Sequence, residues 1–109
     1  VYAMTGGQTA PTTMVGQKTD TSPSGSDQPA VLGPELIRGL SPKAYLARAA
    51  VNDVKQLKEY LNKAISAQQS GNFALVEVLS FCPTNWRTKG GETNERVEEM
   101  KRVFKTGEA

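Results

Sequence analysis

Apolar residues are sparse along the first third of this chain and then gather into four runs with different spacings. Ala44 to Val51 is short and mostly apolar, with Tyr45, Leu46 and Val51, as in a buried strand. Its alanines are weak strand formers, and Arg48 falls near its C-terminal end. In the second run Val54, Leu57, Leu61, Ala64 and Ile65 recur at helical spacing, while Lys55, Lys58, Glu59, Asn62 and Lys63 fall mainly on the other side. This predicts a helix from about Asp53 to Gln69, capped by Asn52 or Asp53 and ended by Gly71. Its Val54–Leu57–Leu61–Ile65 stripe is expected to lie against a sheet. The third run, Phe73 to Leu79, is almost continuously apolar and fits an interior parallel strand covered on both faces. Strand, helix and strand form one right-handed crossover unit. The predicted class is therefore α/β, with a mostly parallel sheet and flanking helices. The fourth run carries Val97, Met100, Val103 and Phe104 at helical spacing and predicts a helix over Thr93–Phe104, capped by Thr93 or Asn94. Ahead of all four, Gly33–Leu40 has Pro near its start and Gly near its end and reads as one helical turn.

Residues 1–35 are rich in Thr, Ser, Gly, Pro and Gln, with few charges. By composition alone, residues 16–30 suit a linker or disordered arm. The chain has 109 residues, enough for one small domain. Its net charge of +2 comes from mixed charges, so no basic face for nucleic acid is implied. No apolar run approaches membrane-spanning length. A single Cys forms no internal disulfide, which fits a reducing, cytoplasmic setting. Histidine is absent, which removes the commonest general base and metal ligand.

Candidate chemistry sits in two motifs. The first is Tyr2-Ala3-Met4-Thr5-Gly6-Gly7-Gln8, followed by Pro11-Thr12-Thr13. Paired glycines let a backbone turn sharply and approach a ligand closely. The second is Val76-Glu77-Val78-Leu79-Ser80, then Cys82-Pro83-Thr84-Asn85-Trp86. Cys82 follows a predicted strand, where α/β folds bind ligands. A lone Cys is a nucleophile, a cluster ligand or a small packed residue, and the resemblance set out below implies the packed, structural role. The Pro83–Trp86 turn suits either the wall of a site or a subunit contact, with Trp86 as a packing anchor.

Together, and in this order, the motifs resemble the β subunit of 2-oxoacid:ferredoxin oxidoreductases, in the branch acting on 2-oxoisovalerate or 2-oxoglutarate. The resemblance reaches about Trp86 and fades beyond it. It implies that residues 1–109 are the C-terminal half of a thiamine-diphosphate-binding domain. Residues 1–15 would be the cofactor loop, 16–32 a long loop, and 33–109 a strand–helix–strand–loop–helix unit. The cofactors implied are thiamine diphosphate and Mg²⁺, with iron–sulfur clusters elsewhere in the complex. The reaction implied is oxidative decarboxylation of a 2-oxoacid to an acyl-CoA, with electrons passing to ferredoxin. The partners implied are an α subunit and a ferredoxin-like subunit, with coenzyme A and the 2-oxoacid, and neither nucleic acid nor membrane.

Carried over position by position, the Val1 carbonyl would be a Mg²⁺ ligand. Ala3, Met4 and Thr5 would run along the diphosphate, with the Thr5 hydroxyl donating to it or neighbouring the metal. Gly6 and Gly7 would turn the chain away, and Gln8 would be a polar group behind the cofactor or towards the substrate. The family's Gly-Asp-Gly and the Asn before this Val, which supply the other metal ligands, do not stand in this sequence. The chain alone is therefore expected to be inactive. The additional cluster cysteine of some members is missing from residues 14–34. The alternative is a non-enzymatic α/β interaction module with a disordered N-terminal arm.

Overall fold

The computed structural model describes residues 3–109. The chain divides into two compact units, one formed up to Val31 together with Phe81–Thr93, the other by Leu32–Ser80 with Asn94–Ala109.

The second unit is α/β. Helix α1 covers Gly33–Leu40, strand β1 Tyr45–Ala50, helix α2 Val54–Gln69 and strand β2 Ala74–Leu79. Helix α3, Pro83–Trp86, belongs to the other unit, and the longer α4 covers Gly91–Val103. Strand β3 is the two-residue Gly107–Glu108. The sheet has three strands in the order β2-β1-β3. β1 and β2 run parallel, with Tyr45 opposite Ala74 and Ala50 opposite Leu79. β3 is antiparallel to β1. The sheet is thus mixed, and the poorly patterned tail supplies its third strand. The Ala109 amide donates to the Leu46 carbonyl at 2.8 Å, and Glu108 receives the Tyr45 hydroxyl at 3.1 Å. These contacts hold a strand too short to show any periodicity.

Local signals set the ends of α2 as expected. The Asp53 carboxylate accepts from the Gln56 amide at 3.0 Å, satisfying one of the first-turn donors. Gly71, with φ +82°, takes the left-handed turn that ends the helix, and Asn72 donates back to Ala67 at 3.0 Å. α1 is longer than the single turn expected, with eight residues. α4 starts at Gly91, so Thr93 and Asn94 lie inside it rather than capping it.

Two packing expectations are corrected. β1, not β2, is the buried central strand: Leu46, Ala47, Ala49 and Ala50 are all buried, whereas β2 lies at the edge of the sheet and is mostly half-buried. An apolar run in an edge strand looks the same in sequence as one in an interior strand. The face of α2 also differs. Tyr60 is buried against Ala47 and Ala49, with Leu57, Tyr45 and Val76 packed around it. Val54, Leu61 and Ile65 are exposed, at 56%, 43% and 53%. The alanines of β1 explain this, since methyl-sized side chains leave room for the large tyrosine ring.

The other face of β1 holds a buried charge. Arg48 is 2% exposed in mid-strand, not at the strand's end. Its guanidinium forms a two-pronged bridge to Glu35 of α1, at 2.7 and 2.8 Å, and pairs through Nε with Glu77, its in-register neighbour on β2. It also donates to the Lys105 carbonyl at 3.3 Å and sits 5.5 Å from the Phe104 ring centre. The hydrogen bonds from Arg48 hold the Glu35 carboxyl below its ordinary pKa.

Two outcomes follow for stability. Tyr60→Ala should cost about 3 kcal/mol or more through lost burial and a cavity, whereas Leu61→Ala should stay near the 0.5 kcal/mol of surface changes. Urea unfolding of both variants checks this, and equal losses would restore the Leu61 face as the packed one. Because the folded pKa of Glu35 is lowered, its stabilising contribution is complete above the ordinary glutamate value and is lost as pH falls through the folded value. Glu35→Gln should therefore be less stable at pH 7 and lose less between pH 7 and pH 3 than the parent. Parallel acid profiles would contradict this.

Candidate functional site

The Thr-Gly-Gly motif lies in the first unit. Ala3–Thr5 forms a 3₁₀ turn. Gly6 and Gly7 follow with φ of +79° and +68°, a conformation that non-glycine residues adopt only at a cost. Two successive glycines at positive φ after a 3₁₀ turn bend the chain sharply and let its backbone approach a ligand closely. Met4, Thr5, Gly6 and Gln8 are exposed, and Met4 is 98% so. The expected metal ligand, Val1, lies outside the described residues.

The two glycines play different parts. A Cβ on Gly6 would meet nothing within 4 Å. Gly7 is buried, and a Cβ there would lie 2.6 Å from Asn85 Nδ2 and 2.6 Å from Asp20 Oδ2. The two sequence motifs therefore converge at one glycine, through Asn85 of the second and an aspartate that neither contains. Asp20 escaped the sequence reading because nothing in its Thr/Ser-rich surroundings marks it. Asn85 carries no sequence signal beyond its place in the Pro83–Trp86 turn.

Residues 16–30, which suit a disordered arm by composition, fold back on themselves. The Gly16 amide donates to Ser26 O at 2.7 Å, and the Ser26 amide to Gln17 O at 3.0 Å. Thr19 and Ser22 exchange backbone hydrogen bonds at 3.1 Å in each direction. The Thr9 amide donates to Thr21 Oγ1 at 2.9 Å, and the Thr9 and Thr19 hydroxyls bond to each other. Backbone hydrogen bonds, joined by hydroxyls that bond the backbone and one another, hold the segment.

The second motif forms α3, with Pro83 in its first turn and Cys82 as its N-cap residue. Arg87, at φ 55°, ends it in the left-handed region. Cys82 is half-buried. Among the described residues no group of three or more His, Cys, Asp and Glu is placed to hold a metal ion. No helix among them is long and apolar enough to cross a membrane.

Comparison with known proteins gives the setting. The chain is 41% identical over 95% of its length to ketoisovalerate oxidoreductase subunit VorA of Methanothermobacter marburgensis, of which it covers 24%. It is 37% identical over 91% of its length to 2-oxoglutarate synthase subunit KorB of Archaeoglobus fulgidus, of which it covers 36%. It is 33% identical over 99% of its length to the 2-oxoacid:ferredoxin oxidoreductase subunit beta of Saccharolobus solfataricus, of which it covers 32%. Over nearly its whole length the chain is homologous to 2-oxoacid:ferredoxin oxidoreductase subunits. It spans about a quarter to a third of the length of the curated relatives it matches. No protein-family model matches it. No solved structure matches it either.

The contrast between the glycines is open to test by amide exchange. The Asp20 amide donates to the Gly7 carbonyl at 3.0 Å. Gly7→Ala should unlock that bond and speed exchange at Asp20, since the methyl meets two side chains and a disfavoured φ. Gly6→Ala carries only the φ penalty, about 1 kcal/mol or slightly more, and should leave the Asp20 amide protected. Equal acceleration in both variants would contradict the assignment.

Proposed function

We propose that this chain supplies the diphosphate-facing loop of a thiamine-diphosphate-dependent 2-oxoacid:ferredoxin oxidoreductase, and so takes part in oxidative decarboxylation of a 2-oxoacid to an acyl-CoA. The observation that carries the reading is the exposed Thr5–Gly6 turn, whose backbone N–H groups suit a multiply charged anion, within a motif matching that family. A diphosphate is held by oriented N–H donors and by Mg²⁺, which takes octahedral oxygen ligands including backbone carbonyls. Val1 through its carbonyl, and Ala3 to Gln8 through backbone and hydroxyl donors, are the residues that would hold the group. When bound, thiamine diphosphate supplies the carbanion chemistry that a 2-oxoacid decarboxylation needs. The share of this chain is to orient the diphosphate and keep the loop closed behind it. Electrons would leave through iron–sulfur clusters of partner subunits to ferredoxin, since a chain with a single Cys supplies no four-cysteine ligand set. The names of the relatives point to 2-oxoisovalerate or 2-oxoglutarate as the substrate type.

The test is calorimetric titration of the assembled complex with Mg²⁺ and thiamine diphosphate. Thr5→Ala removes one hydrogen bond to a charged group, worth about 1.5–3 kcal/mol. The dissociation constant should rise roughly tenfold to a hundredfold. An unchanged constant would remove Thr5 from the site. A parent assembly that binds no cofactor would favour the non-enzymatic interaction module.

A further inference from the structure

We propose that Asp20 and Asn85 are positioning residues that clamp the Gly7 end of the cofactor turn, so that cofactor affinity depends on two side chains acting through the backbone. The inference rests on the reading of Thr5–Gly7 as diphosphate-facing. Three observations within one compact unit carry it. Gly7 is buried, and the space a side chain would take is filled by Asn85 Nδ2 and Asp20 Oδ2, each 2.6 Å from the position of a Cβ. The Gly7 carbonyl accepts the Asp20 amide at 3.0 Å, so one residue holds the glycine by both backbone and side chain. Both clamp residues are themselves held. Asp20 follows Thr19, which is bonded to Ser22 and, through its hydroxyl, to Thr9. Asn85 lies on α3, where the Trp86 amide donates to Cys82 O at 2.9 Å and the Thr88 amide to Pro83 O at 3.3 Å.

The chemistry of the pair explains its identity. An amide and a carboxylate can both pack against one point without charge repulsion, where two carboxylates would repel. Gly6, one residue earlier, has open space around it and stays available to a ligand. The turn therefore has a fixed end and a free end. Fixing one end lowers the conformational entropy lost when an anion orders the other, which is preorganisation of the site.

The experiment uses the assembled complex with Mg²⁺ and thiamine diphosphate as probe. Asn85→Ala and Asp20→Ala should each raise the cofactor's dissociation constant roughly tenfold, the scale seen for residues that support a ligand-holding group. Turnover at saturating cofactor should stay within about twofold, since a positioning residue acts on binding. Exchange at the Asp20 amide, or at its counterpart in the variant, should speed up while the Ser26 amide, bonded to Gln17 in the same unit, stays protected. Asn85→Asp keeps the size and sets two carboxylates together, and should weaken binding as much as the alanine variant. Adding Asp20→Asn to it exchanges the two groups and should restore affinity. Loss of Ser26 protection together with affinity, or no rescue by the double variant, would overturn the clamp and leave a general folding role. If Thr5→Ala weakens binding while all clamp variants bind like the parent, the clamp fails and the cofactor turn stands. If the parent binds nothing, the functional reading itself fails.

Discussion

The α/β unit depends on one buried cation. Arg48 stands in the middle of the central strand, inaccessible to water, with carboxylates from α1 and β2, a carbonyl from the segment after α4, and an aromatic ring around it. A buried ion pair gains little net stability over a well-packed apolar group, because desolvation offsets most of the attraction. Its effect here is selective. Apolar burial is non-directional, so by itself it would tolerate several placements of α1 and of the tail. A guanidinium that must satisfy its donors accepts the one that brings Glu35, Glu77 and the Lys105 carbonyl together. Both carboxylates keep some contact with water, at 46% and 25% exposure, which limits the desolvation cost on their side.

The parts of this fold that local chemistry decides were legible in the sequence. The extent of α2 follows from its Asp53 cap and Gly71 stop, and the two main strands from their apolar runs. What escaped reading is decided across distance. The helical spacing of α2 points to its aliphatic residues, but the small side chains of β1 admit Tyr60 instead. Arg48 and Glu77 each interrupt an apolar run, Ala-Arg-Ala and Val-Glu-Val, and that matched interruption was the available signal for a buried pair in register. Strand β3 has no signal of its own, being held by hydrogen bonds to a neighbour.

The candidate site divides in the same way. Thr5, Gly6 and Gly7 were legible because a Thr-Gly-Gly turn needs positive φ. Their separation into a free and a fixed glycine was not, since it depends on Asp20 and Asn85, which only the folded chain brings together. The Thr/Ser-rich segment between Thr9 and Ser26 shows why composition misled: its order comes from hydroxyls and backbone groups bonding one another, and composition scales count those residues as solvent-seeking.

The central claim, that the Thr5–Gly7 turn faces the diphosphate, is tested most directly by amide hydrogen exchange on the assembled complex, with and without Mg²⁺ and thiamine diphosphate. Slower exchange confined to the amides of residues 4–8, with those of α2 unchanged, is the expected result. Cofactor binding that leaves residues 4–8 exchanging at their original rate would contradict it.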